Sequence, residues 1–409
     1  MREMKDSGIE WIGEIPKDWN LVPTKRLFIN KKRIVGNAVD EYERLALTMN
    51  GVIKRSKVDS DGLQPEKFEG YQILQKNELV FKLIDLENVK TSRVGISPYD
   101  GIVSPAYIVL SNDIENKFYY YWFMFMYYHE VFNKLGGDGV RSSLNAKDLL
   151  SMPVPHIDSI IRNKIASYLD SKCSKIDDII EKHQSVIEKL KAYKLSKLDE
   201  LFNNFDGNNC HLGWICSLKN GLNFSFSDNG LKLKFLGVGD FKDYFVLSDK
   251  DMFSSIEVED CIDKDYYLSN EDIVFVRSNG SKDLVGRAIM VDNINYPLVY
   301  SGFCIRLRNN RKDILDSKYL LYFFRSPNFR CQLAKFSQGS NINNINQYML
   351  SHIDLKIPSL EYQKNIIEKL DKLNKAIDST IANKQALIEK LTAYKKSLIY
   401  EVVTGKKEV

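Results

Sequence analysis

Two stretches of this chain carry glycine beside side chains that can bind a polyanion and read base edges. Residues 136–145 (GGDGVRSSLN) offer Arg141, Ser142 and Asn145, and residues 338–346 (QGSNINNIN) offer Ser340, Asn341 and Asn343. Glycine lets backbone N–H groups approach a phosphate closely, and Arg and Asn make two-pronged contacts to guanine and adenine edges. An ordinary glycine turn entering a helix would have the same composition. A second pair lies upstream. Residues 81–88 (FKLIDLEN), with Thr91-Ser92-Arg93 close behind, contain Lys82, Asn88 and Arg93; residues 275–282 (FVRSNGSK) contain Arg277, Asn279, Ser281 and Lys282, with Arg287 following. Each begins as an apolar strand and breaks into basic and amide residues, the pattern of a strand that presents a loop to a groove. The chemistry these residues suit is binding, not bond breaking.

Catalytic patterns are missing. The sequence has no GxxxxGK[ST] phosphate loop, GxSxG elbow, HExxH zinc helix or Rossmann glycine cluster, and no Asn- or Asp-Pro-Pro-aromatic tetrapeptide of adenine methyltransferases. Its six cysteines include no CxxC pair, and the five histidines do not stand at zinc spacing. Neither a catalytic site nor a metal or cofactor of its own is expected.

The elements that must position these loops are legible from a repeat. Residues 187–196 (IEKLKAYKLS) recur at 388–397 (IEKLTAYKKS) with eight identities, an offset of 201. Ile176-Asp177 then matches Ile377-Asp378, Gln184 matches Gln385, and Glu200 matches Glu401. Residues 159–201 lack Gly and Pro, and their apolar residues recur at steps of three and four, which predicts one long helix with a narrow apolar seam. At about 1.5 Å per residue such a rod is roughly 65 Å long. Residues 360–403 repeat the pattern. The expected subunit or coiled-coil interface is Ile176, Ile180, Ile187, Leu190 and Tyr193 with Ile377, Ile381, Ile388, Leu391 and Tyr394, and His183 and Lys384 are equivalent polar seam positions. Ile179, Val186 and Tyr193 mark a second stripe, which either broadens this seam or docks another subunit.

The organisation expected is α+β: two α/β globules (1–155 and 203–358), each followed by a long helix (156–202 and 359–409), the helices pairing as an antiparallel coiled coil with an internal pseudo-twofold. Strands are expected at 72–83, 101–110, 271–276 and 300–307, and shorter helices at 117–134 and 318–324. The run FYYYWFMFMYY (118–128) is too short and too rich in tyrosine to span a bilayer, and reads as a buried helix. The charged N-terminus lacks the apolar core of a signal peptide. With 44% apolar residues, 58 basic and 54 acidic side chains and a net charge of +4, the chain is expected to fold in the cytoplasm with free thiols, and charge alone does not decide its partners.

The opening KDSGIEWIGEIPKDW (5–19), the helix entry IPSLEYQ (357–363) and the IEKLxAYKxS rod ends together resemble the specificity subunits of type I restriction-modification systems. The first helix entry, MPVPHID (152–158), departs from the family pattern by lacking its Glu-Gln element. The resemblance implies two target recognition domains that each read one half of a bipartite double-stranded DNA site, held apart by the helices. It implies as partners two modification (methyltransferase) subunits, using S-adenosylmethionine to methylate adenine, and restriction subunits that translocate and cleave DNA with ATP and Mg. None of that catalysis would belong to this chain. A duplicated coiled-coil scaffold that never touches DNA is the rival reading; an enzyme without a recognisable motif is a third.

Overall fold

The computed structural model describes residues 2–58, 67–86, 93–135, 143–203, 205–223, 226–241, 245–248, 253–258, 262–281, 284–336 and 344–409. The chain divides into two compact units, Met1–His183 with Gln385–Val409, and Gln184–Lys384.

In the first unit, strands Leu79–Phe81, Val94–Ile96 and Ile108–Leu110 form an antiparallel sheet with the 79–81 strand at its centre. The central and Ile108–Leu110 strands are apolar and buried, so both faces must be covered. The helix Lys117–Tyr128 covers one: Phe81 meets Phe123 edge-on at 4.9 Å, and the helix buries Phe118, Tyr119, Tyr121, Trp122, Phe123, Phe125 and Met126. Its all-round apolar character is that of a core element, as the sequence implies. The hairpin Leu45–Thr48 and Gly51–Lys54 covers the other face so tightly that a Cβ on Gly95 would lie 2.6 Å from Leu47.

Several expected elements are interrupted. The run 72–83 is two strands, Gln72–Leu74 and Leu79–Phe81, because Asn77 adopts a φ of 68° and the Glu78 carboxylate accepts from the Gln75 N–H, closing a turn. The run 101–110 likewise splits at Ser104, where a turn that includes Pro105 is closed by the Tyr107 N–H on the Ser104 carbonyl. The helix expected over 117–134 ends at Tyr128 and resumes at Val131–Leu135, since Glu130 sits at a φ of 56°.

In the second unit, strands 304–309, 273–276 and 288–291 are arranged as in the first unit, within a five-stranded sheet that adds 216–220 and 246–247 at its edges. The first expected strand here starts at Ile273 because Glu271 has a φ of 71°. The second is broken into Leu298–Tyr300 and Cys304–Asn309 by a turn at Ser301-Gly302-Phe303. Helices Ser317–Phe323, Pro327–Phe336 and Gln347–Ser351 follow, in the order of Lys117–Tyr128, Val131–Leu135 and Ala146–Ser151 in the first unit. Each unit closes with a strand beside its own beginning: Pro153–His156 on Asn20–Pro23, and Asp354–Ile357 on Asn208–His211.

The long helices are Ser159–Asn203 and Leu360–Val403. In the first unit Ile165, Leu169, Cys173 and Ile176 share a core with Leu398, Ile399, Val402 and Val403, and Lys395 pairs with Asp177 at 2.6 Å. In the second, Leu198 and Phe202 share a core with Ile366, Ile367 and Leu370, and Lys194 pairs with Asp378 at 2.9 Å. Ile176, Ile187 and Ile377 are buried, while Ile180, Leu190, Ile381, Ile388 and Leu391 are partly covered. Tyr193 and Tyr394 correct the coiled-coil part of that expectation: they are 48% and 53% exposed. A seam step of four from Leu190 and Leu391 reaches Lys194 and Lys395, which make the ion pairs. The tyrosines fall one residue short, about 100° away, on the face of Val186 and Leu387. No helix among the described residues is long and apolar enough to cross a membrane.

Candidate nucleic-acid interface

Within each unit, the root of one predicted loop from each pair lies beside the other. In the first unit the chain leaves the 79–81 strand through Lys82 and Leu83, and the Leu83 carbonyl accepts the Leu144 N–H at 2.9 Å. Leu83, Leu86 and Leu144 are buried, so the roots of the segments 87–92 and 136–142 are fixed side by side by an apolar plug. Asn133 donates to the Leu86 carbonyl at 2.6 Å, tying the first root to the helix Val131–Leu135. The second unit repeats this: the Ile345 N–H donates to the Arg277 carbonyl at 2.9 Å, and Ser278 bridges Asn344. Asn145 and Asn346 start the next short helix in each unit, their side chains capping the backbone N–H groups of Lys147 and Asp148, and of Met349.

The individual residues divide by role. Lys82 is half-buried, its N–H donating to the Arg93 carbonyl. Arg93 is a correction: it is 1% exposed, and its guanidinium donates to the carbonyls of Ile84 at 2.8 Å and Asp85 at 2.6 Å. Burial pulls its pKa below the ordinary guanidinium value, while Tyr127 and Asp85 pull it back up. A side chain so enclosed shapes the loop root, where Asp85 takes a φ of 53°, and has no free face for a phosphate. Arg287, at the matching point before the 288–291 strand, is half-buried and donates to the Phe241 carbonyl at 3.1 Å, so it too braces the fold. Asn145 is exposed, with its side-chain oxygen engaged in the cap.

Arg277 reaches the rim, half-buried, with one guanidinium nitrogen 3.5 Å from the Gly302 carbonyl. Asn279 turns the chain by accepting the Ser281 N–H at 2.7 Å, which leaves Ser281 exposed. Asn88, Arg141, Ser142, Lys282, Ser340, Asn341 and Asn343 lie outside the described residues. The sequence reading includes Asn344, exposed at the second root, in its loop without singling it out, and passes over Phe303, which a run of strand-forming residues hides. The one available signal is the Ser-Gly pair before that phenylalanine, a turn signature. Among the described residues no group of three or more His, Cys, Asp or Glu is placed to hold a metal ion. In each unit the roots of two polar segments are thus held together on a rigid frame, an arrangement suited to contacting an extended polar surface.

Residues 212–390 match the family model of the type I restriction modification DNA specificity domain. The type I restriction enzyme StySPI specificity subunit of Salmonella potsdam is 33% identical over 138 residues, which is 34% of this chain and 29% of that protein. The EcoKI specificity subunit of Escherichia coli K12 is 33% identical over 139 residues, again 34% of this chain and 29% of the relative. The matches to these curated relatives thus span less than a third of their length. A solved structure described as the structural basis of complex assembly and conformational transition of the type I R-M system superposes with a TM-score of 0.71 at 14% identity, covering 95% of this chain and 98% of that one. The HsdS subunit from Thermoanaerobacter tengcongensis gives 0.50 at 15%, covering 96% and 98%. At such identities these two likenesses speak for the fold alone. The second half of the chain thus matches the type I restriction modification DNA specificity domain over residues 212–390, and the chain shares its fold with these two solved structures.

Proposed function

We propose that this chain is the DNA sequence-specificity subunit of a type I restriction-modification complex. Its two units each read one half of a bipartite duplex site, and the bound chain directs adenine methylation and DNA cleavage by partner subunits. The observation that carries this is the repeated pairing of loop roots: Leu83 with Leu144 in one unit, Arg277 with Ile345 in the other. A catalytic chain needs one site with convergent reactive groups, whereas a reader of a split sequence needs two similar surfaces with different side chains. S-adenosylmethionine, ATP and Mg would be used by the modification and restriction subunits, and this chain would be non-catalytic.

The finer architecture belongs to the same reading. We infer that the long helices pair as an antiparallel coiled coil and that the chain is an internal pseudo-twofold repeat. In support, Asp177 pairs with Lys395 in the first unit and Lys194 with Asp378 in the second, the same pair exchanged by the offset of 201. Lys117 and Tyr121 both bond Asp170, as Lys318 and Tyr322 both bond Asp371.

The test is mapping of methylated adenines in a host with and without this chain, together with binding of the purified chain to duplex at rising salt. The expected result is a two-part methylated sequence that vanishes without the chain, and an affinity that falls steeply with ionic strength. Methylation independent of the chain, or binding indifferent to salt, would refute it.

A further inference from the structure

We infer that Phe303 is a specificity-determining residue of the second unit, pressing its ring on a base of the duplex beside Arg277. This rests on the DNA-reading function proposed above and deepens it. A single exposed apolar side chain is ordinary on a protein surface; the setting of this one is not. Phe303 is 58% exposed at the tip of the Ser301-Gly302-Phe303 turn. That turn is braced on both sides. Gly302 donates to the Leu222 carbonyl at 2.8 Å, and the Phe303 carbonyl accepts the Arg277 N–H at 2.8 Å. A Cβ on Gly302 would lie 2.3 Å from the Asn223 amide oxygen, so the turn packs closely against Asn223.

The first unit builds the same turn without the ring. There Ala106 donates to the Ser104 hydroxyl at 3.3 Å, as Phe303 does to the Ser301 hydroxyl at 3.2 Å, and Tyr107 and Cys304 close the two turns on the Ser104 and Ser301 carbonyls. The turn therefore does not need an aromatic residue; the ring is an addition of the second unit. The turn that carries it has the guanidinium of Arg277 and the amide of Asn223 against Gly302, and the backbone of Arg277, bonded to Phe303, runs on into Ser278, which bridges Asn344. Those groups suit base edges, and an apolar ring among them suits a thymine methyl or the face of a partly unstacked base. A protein partner would be matched by a wider apolar surface than one ring among amides and a guanidinium.

The experiment compares the parent, Phe303→Ala and Phe303→Leu chains, each expressed with the complete restriction-modification system, by mapping methylated adenines. Melting of the purified variants provides the control for folding. Phe303→Ala is expected to relax the preference at one position of one half-site by roughly tenfold, leaving the other half-site intact, with Phe303→Leu between it and the parent. An unchanged motif at unchanged occupancy overturns the proposal. So does a uniform fall in occupancy with every preference kept, which would mark a merely structural residue. If the parent itself directs no sequence-specific methylation, the DNA-reading function falls first, and the two failures are distinguished.

Discussion

Arg93 illustrates how far residue type can mislead about role. In sequence it is a basic residue in a polar loop; in the structure its donors are spent on the loop's own carbonyls. Arg93→Ala would remove a buried side chain together with its bonds to the Ile84 and Asp85 carbonyls, at a cost of about 2–4 kcal/mol. Lysine would recover only part of this, because one ammonium cannot reproduce the planar fork. Thermal unfolding should place Arg93→Ala well below the parent, with Arg93→Lys between them; an Arg93→Ala protein that melts with the parent would show that the contacts stabilise nothing. Where the strands break into loop roots, at Lys82 and Arg277, was legible, because apolar runs give way there to basic and amide residues. Which of those side chains face inward was not, since enclosure depends on neighbours distant in sequence, such as Tyr127 beside Arg93.

Among elements, the two long helices were read almost to the residue, because a run free of Gly and Pro with a steady apolar seam admits little else. Short strands fared worse: Asn77 and Pro105 end pairing through turn chemistry that an apolar run conceals. How each long helix is anchored was also hidden. Gln363, in the helix entry singled out from the sequence, is fully buried; its amide nitrogen donates to the Ile314 and Pro358 carbonyls at 2.8 and 2.9 Å, and its oxygen accepts the Asp316 N–H at 2.8 Å. It thereby fastens the start of the second long helix to the start of the helix Ser317–Phe323. The first long helix, which lacks the Glu-Gln element, has Arg162 at the equivalent position, donating to the Ile157 carbonyl and the Tyr119 hydroxyl, both at 3.3 Å. Gln363→Leu keeps most of the volume and removes all three bonds, so it should cost about 2–4 kcal/mol in denaturant unfolding. A loss below about 0.5 kcal/mol would mean that those groups find other partners.

At the scale of the whole molecule, the duplication separates what is kept from what is varied. The ion pairs of Asp177 and Asp378 and the Lys-Tyr-Asp clusters recur, whereas the loop sequences and the ring of Phe303 do not. In the proposed function the kept part sets the unread gap between half-sites and the varied part sets the bases read. Seven residues are close to two helical turns, so a seven-residue insertion at equivalent points in both long helices, between 180 and 187 and between 381 and 388, preserves the seam while adding about 10 Å. At about 3.4 Å per base pair that is some three pairs of DNA. Mapping of methylated adenines should then return the same two half-sites with a gap about three pairs longer. An insertion in one helix alone puts the two seams out of register, so it should abolish methylation rather than shift its spacing. If the doubly lengthened chain keeps the parent's gap, or changes the bases it selects, the helices do not act as the spacer.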